Sequence, residues 1–436
     1  MANVFDYLKW RGDLTFEQSP LNEIDALIFC ELSYIFYDGI VPRATNDGYV
    51  TLAEAAEIFF ERNAGVDEIT LGEIVPKEIV TLFRVAASSE RFASLPLLHF
   101  VNIIDDETVE QFSAISFLTD DDSVFVAYRG TDDTITGWRE DFRMAFQTPV
   151  PAQKRAEEYL LEAAEGARRI YIGGHSKGGN LALWAAMKAS DGIAERIEKV
   201  YNFDGPGFLD DVWADEKYER VADRISTVIP TGSVVGLLLK YDKKYRVTKS
   251  SAKNYLYQHD ALTWEVEGVE FVSDEDVAPD VKRTHEIVGK WIYSMEPEDR
   301  RAFVEGFFDI LCGAGAKTLT DLSENRSAVI KAFSNIEPET KQALMSGVKF
   351  FLGEGKNAVS ESIREMLKKK TDDGEADEDE VSQPEPQKAP IKKTVKKVKK
   401  VKKTVPIHHT HRRRHNAVAS RMRVEALHKA RKIIKK

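Results

Sequence analysis

Between Ser113 and Val272, short segments rich in β-branched and aromatic residues alternate with segments whose apolar residues recur at helical spacing. The strand-like segments are ISFL and VFVAYRG, which flank a turn at 120–123, followed by RIYIGG, KVYNFD and ISTVIP. The helical segments between them include PAQKRAEEYLLEAAEG and NLALWAAMKA. Alternation of this kind is typical of a mostly parallel sheet covered by helices on both faces. The sequence therefore predicts an α/β fold with a hairpin near its start.

A serine stands where one of these strands passes into a helix. The sequence GGHSKGGN, from Gly173 to Asn180, follows the strand RIYI and contains G-x-S-x-G. Flanking glycines are needed at such a turn because side chains would collide with neighbouring backbone, and the helix start offers free N–H groups to an oxyanion. Ser176 is therefore the predicted nucleophile. A glycine-rich turn that only packs a helix on a strand is the structural alternative.

A serine nucleophile needs a base, and four histidines lie outside the basic C-terminal region: His99, His175, His259 and His285. His175 adjoins Ser176, so its side chain should point away and support the turn. His99 lies in the apolar run LPLLHF, which is typical of a structural histidine. His259, in QHDALTW, follows the last predicted strand and is preferred as the base over His285, which lies in the polar, helix-like KRTHEIV.

Four segments in this order resemble the class 3 lipase-like α/β hydrolases: VFVAYRGTDDTITGWREDF, YIGGHSKGGNLALWAA, KVYNFDGPGF and YLYQHDALTWEV. The resemblance is closest to a bacterial branch known only as a domain of unknown function, and it covers roughly Asp6 to Leu311. It implies that the RG[ST] turn supplies one oxyanion donor at Thr131. The second donor is the backbone N–H after the nucleophile, that of Lys177.

The sequence departs from this resemblance at the catalytic acid. Lipases of this class carry the acid in the turn that follows the next strand, but here that turn, 230–235, has no carboxylate. Asp204, at the end of KVYNFD, is the nearest substitute at the same sheet edge. An aspartate that caps the following loop is an equally good interpretation of Asp204. Asp260 would point away from its neighbour His259, and a Ser-His pair without a strong acid remains open.

The resemblance and the composition together divide the chain into five parts. We expect a mainly helical N-terminal part of the hydrolase unit at 1–100, an α/β-hydrolase core at 101–293 and a helical subdomain at 294–370. An acidic linker at 371–387 and a basic tail at 388–436 follow. The basic tail has 19 Lys and Arg against one acid, a net charge of +18, whereas the other 387 residues carry a net charge of −29.

Cysteine content and hydropathy limit the setting. Cys30 and Cys312 cannot form a disulfide framework, and neither lies in a cluster with metal-ligand spacing. The chain start lacks a basic stretch followed by an apolar one, and no run approaches the roughly 18 apolar residues of a spanning helix. We expect a cytoplasmic protein without a metal or cofactor.

The leading hypothesis is a serine hydrolase that acts on an acyl ester or thioester, or an acyltransferase with the same residues. In it Ser176 attacks, His259 moves the proton, Asp204 orients the ring, and Thr131 and Lys177 bind the oxyanion. The alternative is a catalytically weak scaffold of hydrolase fold that docks through its basic tail. For that tail we expect a polyanionic partner, either a nucleic acid or an anionic membrane surface.

Overall fold

The computed structural model describes residues 1–43, 48–120, 122–241, 244–313, 317–318 and 320–321. Within these residues, the main sheet has eight strands in the order in which they occur along the chain. They are β1 (Val50–Thr51), β2 (Pro96–Asp105), β3 (Glu110–Asp120), β4 (Ser123–Tyr128), β5 (Arg169–His175), β6 (Ile197–Phe203), β7 (Ile225–Pro230) and β8 (Tyr245–Thr248). A small ribbon follows, of β9 (Val266–Glu267) and β10 (Glu270–Phe271).

The sheet is antiparallel at one end and parallel at the other. Strands β1 to β4 pair antiparallel, and β4 to β8 pair parallel. The predicted hairpin is β3 with β4, and the other predicted strands are β5, β6 and β7, so the predicted α/β fold is confirmed. Strand β2 was not predicted, because its first five residues are all buried and lack the alternation of a strand with one exposed face.

Twelve helices belong to the described part of the chain. They are α1 (Val4–Arg11), α2 (Glu23–Leu32), α3 (Leu52–Arg62), α4 (Glu78–Ala87), α5 (Ile135–Arg143), α6 (Pro151–Ala163), α7 (Lys177–Lys188), α8 (Asp191–Ala194), α9 (Asp210–Trp213), α10 (Glu216–Glu219), α11 (Pro279–Ser294) and α12 (Pro297–Gly313). Asparagine caps begin α1 and α2, where Asn3 and Asn22 each accept from backbone N–H groups of the first turn.

Helices cover the sheet on both faces. Successive residues of β4 point to opposite sides: Phe125 and Ala127 pack with the N-terminal helices α1 to α4, whereas Val124 and Val126 pack with α6 and α7. The N-terminal region, whose role the sequence left open, therefore forms one of the two layers on the sheet. A buried ion pair inside this layer joins Arg91 to Asp25.

Helix α12 lies in the region where helical periodicity was expected, and it packs on α5. Phe308 and Val304 share a small apolar cluster with Ile135, and Glu305 pairs with Arg139 and Arg143 of α5. The rest of the predicted helical subdomain lies outside the described residues except for 317–318 and 320–321, and so do the acidic linker and the basic tail. No helix in the described ranges is long and apolar enough to span a membrane.

Candidate active site

Ser176 occupies a tight turn between β5 and α7. Its φ is 58° and its ψ is −134°, a backbone conformation that non-glycine residues rarely adopt and that costs energy unless the surroundings impose it. The flanking glycines explain how the turn closes: a Cβ on Gly174 would lie 2.1 Å from the Gly178 carbonyl, and one on Gly178 would lie 2.1 Å from Tyr128 O. Ser176 is partly exposed at this turn.

The RGT turn after β4 lies directly against this serine. A Cβ on Gly130 would be 3.1 Å from Ser176 Cβ and 2.7 Å from the carbonyl oxygen of His175. Only glycine allows the two turns to approach this closely. Gly130 and Ser176 are therefore neighbours in space. The residues that follow them, Thr131 and Lys177, are the ones whose backbone N–H groups were predicted as oxyanion donors.

His259 ends a 3-10 helix, Tyr255–His259, and its ring reaches the carboxyl edge of the sheet. Its Nδ1 lies 2.6 Å from Asp204 Oδ2. The His259 side chain is 22% exposed, whereas Asp204 is fully buried. The histidine and the carboxylate that the sequence proposed as base and acid are thus hydrogen-bonded, although they are 55 residues apart in the chain.

Asp204 also receives donors from the turn in which the acid was missing. Ser233 Oγ donates to Asp204 Oδ1, and the N–H of Gly236 donates to the same oxygen at 3.1 Å. The loop after β7 therefore supports a carboxylate that comes from the end of β6, where φ of Asp204 is 49°.

His175 holds the backbone of the base. Its Nε2 lies 2.8 Å from the carbonyl oxygen of His259, and a carbonyl only accepts, so this nitrogen carries the proton. Burial and the neighbouring His259 lower the pKa of His175 well below its usual range. Its Nδ1 is 3.2 Å from Glu31 Oε1, without the alignment of a hydrogen bond. Burial raises the pKa of Glu31, so the same desolvation disfavours the charged form of both groups.

Comparison with known families decides the classification. The Mbeg1-like family matches residues 86–309, just over half of the 436-residue chain. This chain belongs to the Mbeg1-like family. It is therefore a member of the class 3 lipase-like superfamily, which supports a hydrolase-type function. The closer resemblance to a bacterial branch stays a prediction.

Searches for similar individual proteins add little. Among solved structures the crystal structure of M37 lipase matches at 16% sequence identity and a TM-score of 0.29, covering 49% of this chain and 67% of that chain. At this TM-score the likeness is too distant to align individual residues, so no statement about the site rests on it. A comparison with curated proteins gave no match.

The remaining candidate residues of this Mbeg1-like chain contact other groups than Ser176. His285 Nε2 is 2.9 Å from the carbonyl oxygen of Ser233, so its ring buttresses the loop that supports Asp204. His99 is buried in β2, as expected of a structural histidine. Asp260 accepts from Leu262 N–H, and burial raises its pKa to about 6.

Three residues at the site were not predicted. Tyr34 Oη would be 2.1 Å from a Cβ on Gly130, so the phenol oxygen, like Ser176 Cβ, lies next to Gly130. On the other side, the side chains of Lys177 and Thr131 contact Glu140 and Asp141 of α5. Glu140 and Asp141 are the two acidic residues of WREDF. This segment carries the family resemblance, but the resemblance assigned them no role. No group of three or more metal-ligand side chains occurs in the described part of the chain.

Proposed function

We propose that this chain is a cytoplasmic serine hydrolase that cleaves an acyl ester or thioester. The observation that carries the proposal is the 2.6 Å contact between His259 Nδ1 and Asp204 Oδ2, next to a strained serine turn. It supports the catalytic reading of Asp204 over that of a simple turn residue. It also weakens the scaffold hypothesis, whose main support was the missing acid.

The proposed reaction starts with proton transfer. His259 Nε2 takes the proton of Ser176 Oγ, and Oγ attacks the acyl carbon to give a tetrahedral oxyanion. The backbone N–H groups of Thr131 and Lys177 receive this oxyanion. The imidazolium then gives its proton to the leaving alcohol or thiol as the bond to carbon breaks. Water, activated by His259 in the same way, releases the acid and restores Ser176.

Asp204 acts on this cycle through the ring of His259. Its Oδ2 accepts the Nδ1 proton, which fixes the tautomer that leaves Nε2 free to act as a base. Its negative charge stabilises the imidazolium that forms in the first step. The donors from Ser233 and Gly236 keep the carboxylate in place while the charge on the ring changes.

Covalent labelling tests the nucleophile directly. A fluorophosphonate should modify Ser176, as peptide mapping by mass spectrometry would show, and p-nitrophenyl butyrate should be hydrolysed. Ser176→Ala should lose both reactions with an unchanged circular dichroism spectrum. Ser190→Ala, which changes an exposed serine just beyond the other end of α7, is the matched control and should behave like the parent. Labelling of Ser176→Ala, or an unreactive parent protein, would refute the proposal.

A second proposal concerns the basic tail, residues 388–436, which we propose binds a polyanion through its net charge of +18. Neutralising phosphates releases counterions, so the affinity should fall steeply with salt. A chain ending at Lys370 should lose binding to DNA, RNA or anionic vesicles and keep its esterase activity. Equal binding with and without residues 371–436 at low salt would contradict this.

A further inference from the structure

Lys177 carries a charge into the protein interior directly below the nucleophile. Its side chain is 1% exposed. Its Nζ lies 2.7 Å from Glu140 Oε2, 2.9 Å from the carbonyl oxygen of Gln111 and 3.0 Å from Gln111 Oε1. An ammonium has three N–H donors, and these three acceptors use all of them. The side chain therefore acts inside the protein and not on a substrate.

Glu140 is held in place independently of Lys177. Its Oε2 also accepts the N–H of Gln111 at 3.0 Å, and its Oε1 accepts the N–H of Ala152 at 2.7 Å. Ala152 is in the first turn of α6, where N–H groups lack partners within the helix and a carboxylate is favoured. Glu140 thus joins β3, α5 and α6 into one support, and Lys177 attaches α7 to it.

The next residue of α5 holds the other side of the oxyanion hole. Thr131 Oγ1 donates to Asp141 Oδ2, and Asp141 Oδ1 lies 3.5 Å from Lys177 Nζ. The two residues whose backbone N–H groups face the oxyanion in the proposed reaction are therefore tied by their side chains to adjacent carboxylates of one helix.

We propose that the Lys177–Glu140 ion pair is a positioning device for the oxyanion hole, which fixes the backbone N–H of Lys177 relative to that of Thr131. The inference rests on the proposed function, because it concerns the same site. A buried ion pair carries a desolvation cost that well-packed apolar side chains avoid. Its presence under the nucleophile is explained by the orientation that it imposes.

The neighbouring carboxylates stabilise the charged form of Lys177. Burial alone would lower the pKa of Lys177, but the carboxylates of Glu140 and Asp141 outweigh this effect and the pKa is raised. Lys177 therefore stays protonated at neutral pH.

Replacing the ammonium while keeping the backbone N–H tests the inference. In Lys177→Met, kcat for p-nitrophenyl butyrate per fluorophosphonate-titrated site should fall by roughly 10- to 100-fold, with KM within about threefold. The loss should be smaller than the ~100- to 1,000-fold typical of a deleted oxyanion donor, because the N–H is displaced and not removed. The inhibition constant of a trifluoromethyl ketone, which forms an oxyanion adduct, should rise by the same factor as kcat/KM falls.

Lys188→Met is the matched control. Lys188 is at the other end of α7 and pairs with Asp215, away from the serine. Lys188→Met also removes an ion pair of α7, at a side chain that is 22% exposed, and should keep the parent kcat. Glu140→Gln is the second variant: it removes the charge, keeps an acceptor for one of the two backbone N–H donors, and should lower kcat in the same way as Lys177→Met.

The outcomes separate this inference from the proposed function. A parent protein that neither labels nor turns over would end both. A reactive parent together with a folded Lys177→Met or Glu140→Gln whose kcat is within twofold of the parent overturns the positioning role alone. If Lys177→Met does not fold, Glu140→Gln decides by the same criterion. Loss of the fold in both variants also overturns it, because the pair would then stabilise the fold and not the hole.

Discussion

The two sides of Ser176 are supported in different ways. The acid–base side, made of Asp204, His259 and His175, is assembled from the end of β5 and from the loops that follow β6 and β8. It is held by hydrogen bonds between these segments. The oxyanion side, made of Thr131 and Lys177 with Glu140 and Asp141, is held by side chains that reach one helix. The first includes the ring of His259, which gains and loses a proton in the proposed reaction, and the second transfers no proton.

This difference has a mechanical meaning. On the acid–base side the ring of His259 must accept and return a proton. Its carboxylate partner, Asp204, must therefore bind the ring both when it is neutral and when it is protonated. On the oxyanion side no proton is transferred. The backbone N–H dipoles there stabilise the oxyanion best when they are held rigidly and away from water. Helix α5 supplies that support, and α12 in turn fastens α5 through Glu305.

Removing the base or the acid should give the largest effects. His259→Ala should lower kcat by roughly 10³-fold or more, because no group is left to take the Ser176 proton. Asp204→Asn should lower kcat by about 100-fold or more, because the ring then loses both its tautomer and its counter-charge. Steady-state kinetics with p-nitrophenyl butyrate, corrected for titrated sites, measures both. A nearly unchanged Asp204→Asn would make Asp204 a turn residue, and an active His259→Ala would remove the base assignment.

Much of this site was predictable from local sequence, and the remainder was not. Ser176 followed from a strand, glycines and a helix within one short segment, which is information contained in neighbouring residues. The contact between Asp204 and His259 depends on how two loops meet across the sheet edge, and the sequence could only place both at that edge. Glu140 and Asp141 were present in a segment of recognised resemblance, but their burial depends on the packing of α5 against β3, α6 and α7. Tyr34 comes from a layer whose role the sequence did not reveal.

A smaller effect should follow from loosening the support of the acid. Ser233 is fully buried and donates to Asp204, so Ser233→Ala leaves Asp204 Oδ1 with Gly236 N–H as its remaining donor among the described contacts. We expect kcat to fall by ~3- to 10-fold and the free energy of unfolding to fall by about 1 to 2 kcal/mol. Kinetics and urea denaturation measure the two quantities.

The control for Ser233→Ala is Ser116, whose hydroxyl is buried away from Ser176. It separates support of Asp204 from a general effect on stability. Ser116 Oγ shares a 2.9 Å hydrogen bond with Tyr159 Oη on the opposite face of the sheet from α2. Ser116→Ala should lose about 1 kcal/mol of unfolding free energy and keep kcat. If both serine variants lose stability and neither loses activity, the loop after β7 does not orient Asp204.

The smallest effect on turnover is expected at Asp260, whose carboxylate destabilises the folded protein when it is charged. Burial raises the pKa of Asp260 to about 6 from 3.8. The folded protein therefore binds this proton more tightly than the unfolded chain does, so the group favours folding below pH 3.8 and that contribution is lost as the pH rises through 6.

Asp260→Asn keeps an oxygen for Leu262 N–H and cannot ionise. The difference between its free energy of unfolding and that of the parent should grow by about 2 kcal/mol in its favour from pH 4.5 to pH 8. Asp274 is a control of opposite sign, because a hydrogen bond from Thr231 lowers its pKa. Asp274→Asn should lose stability at pH 8 and recover it relative to the parent on acidification. Parallel stability curves for Asp260→Asn and the parent between pH 4.5 and 8 would show that Asp260 carries no buried charge.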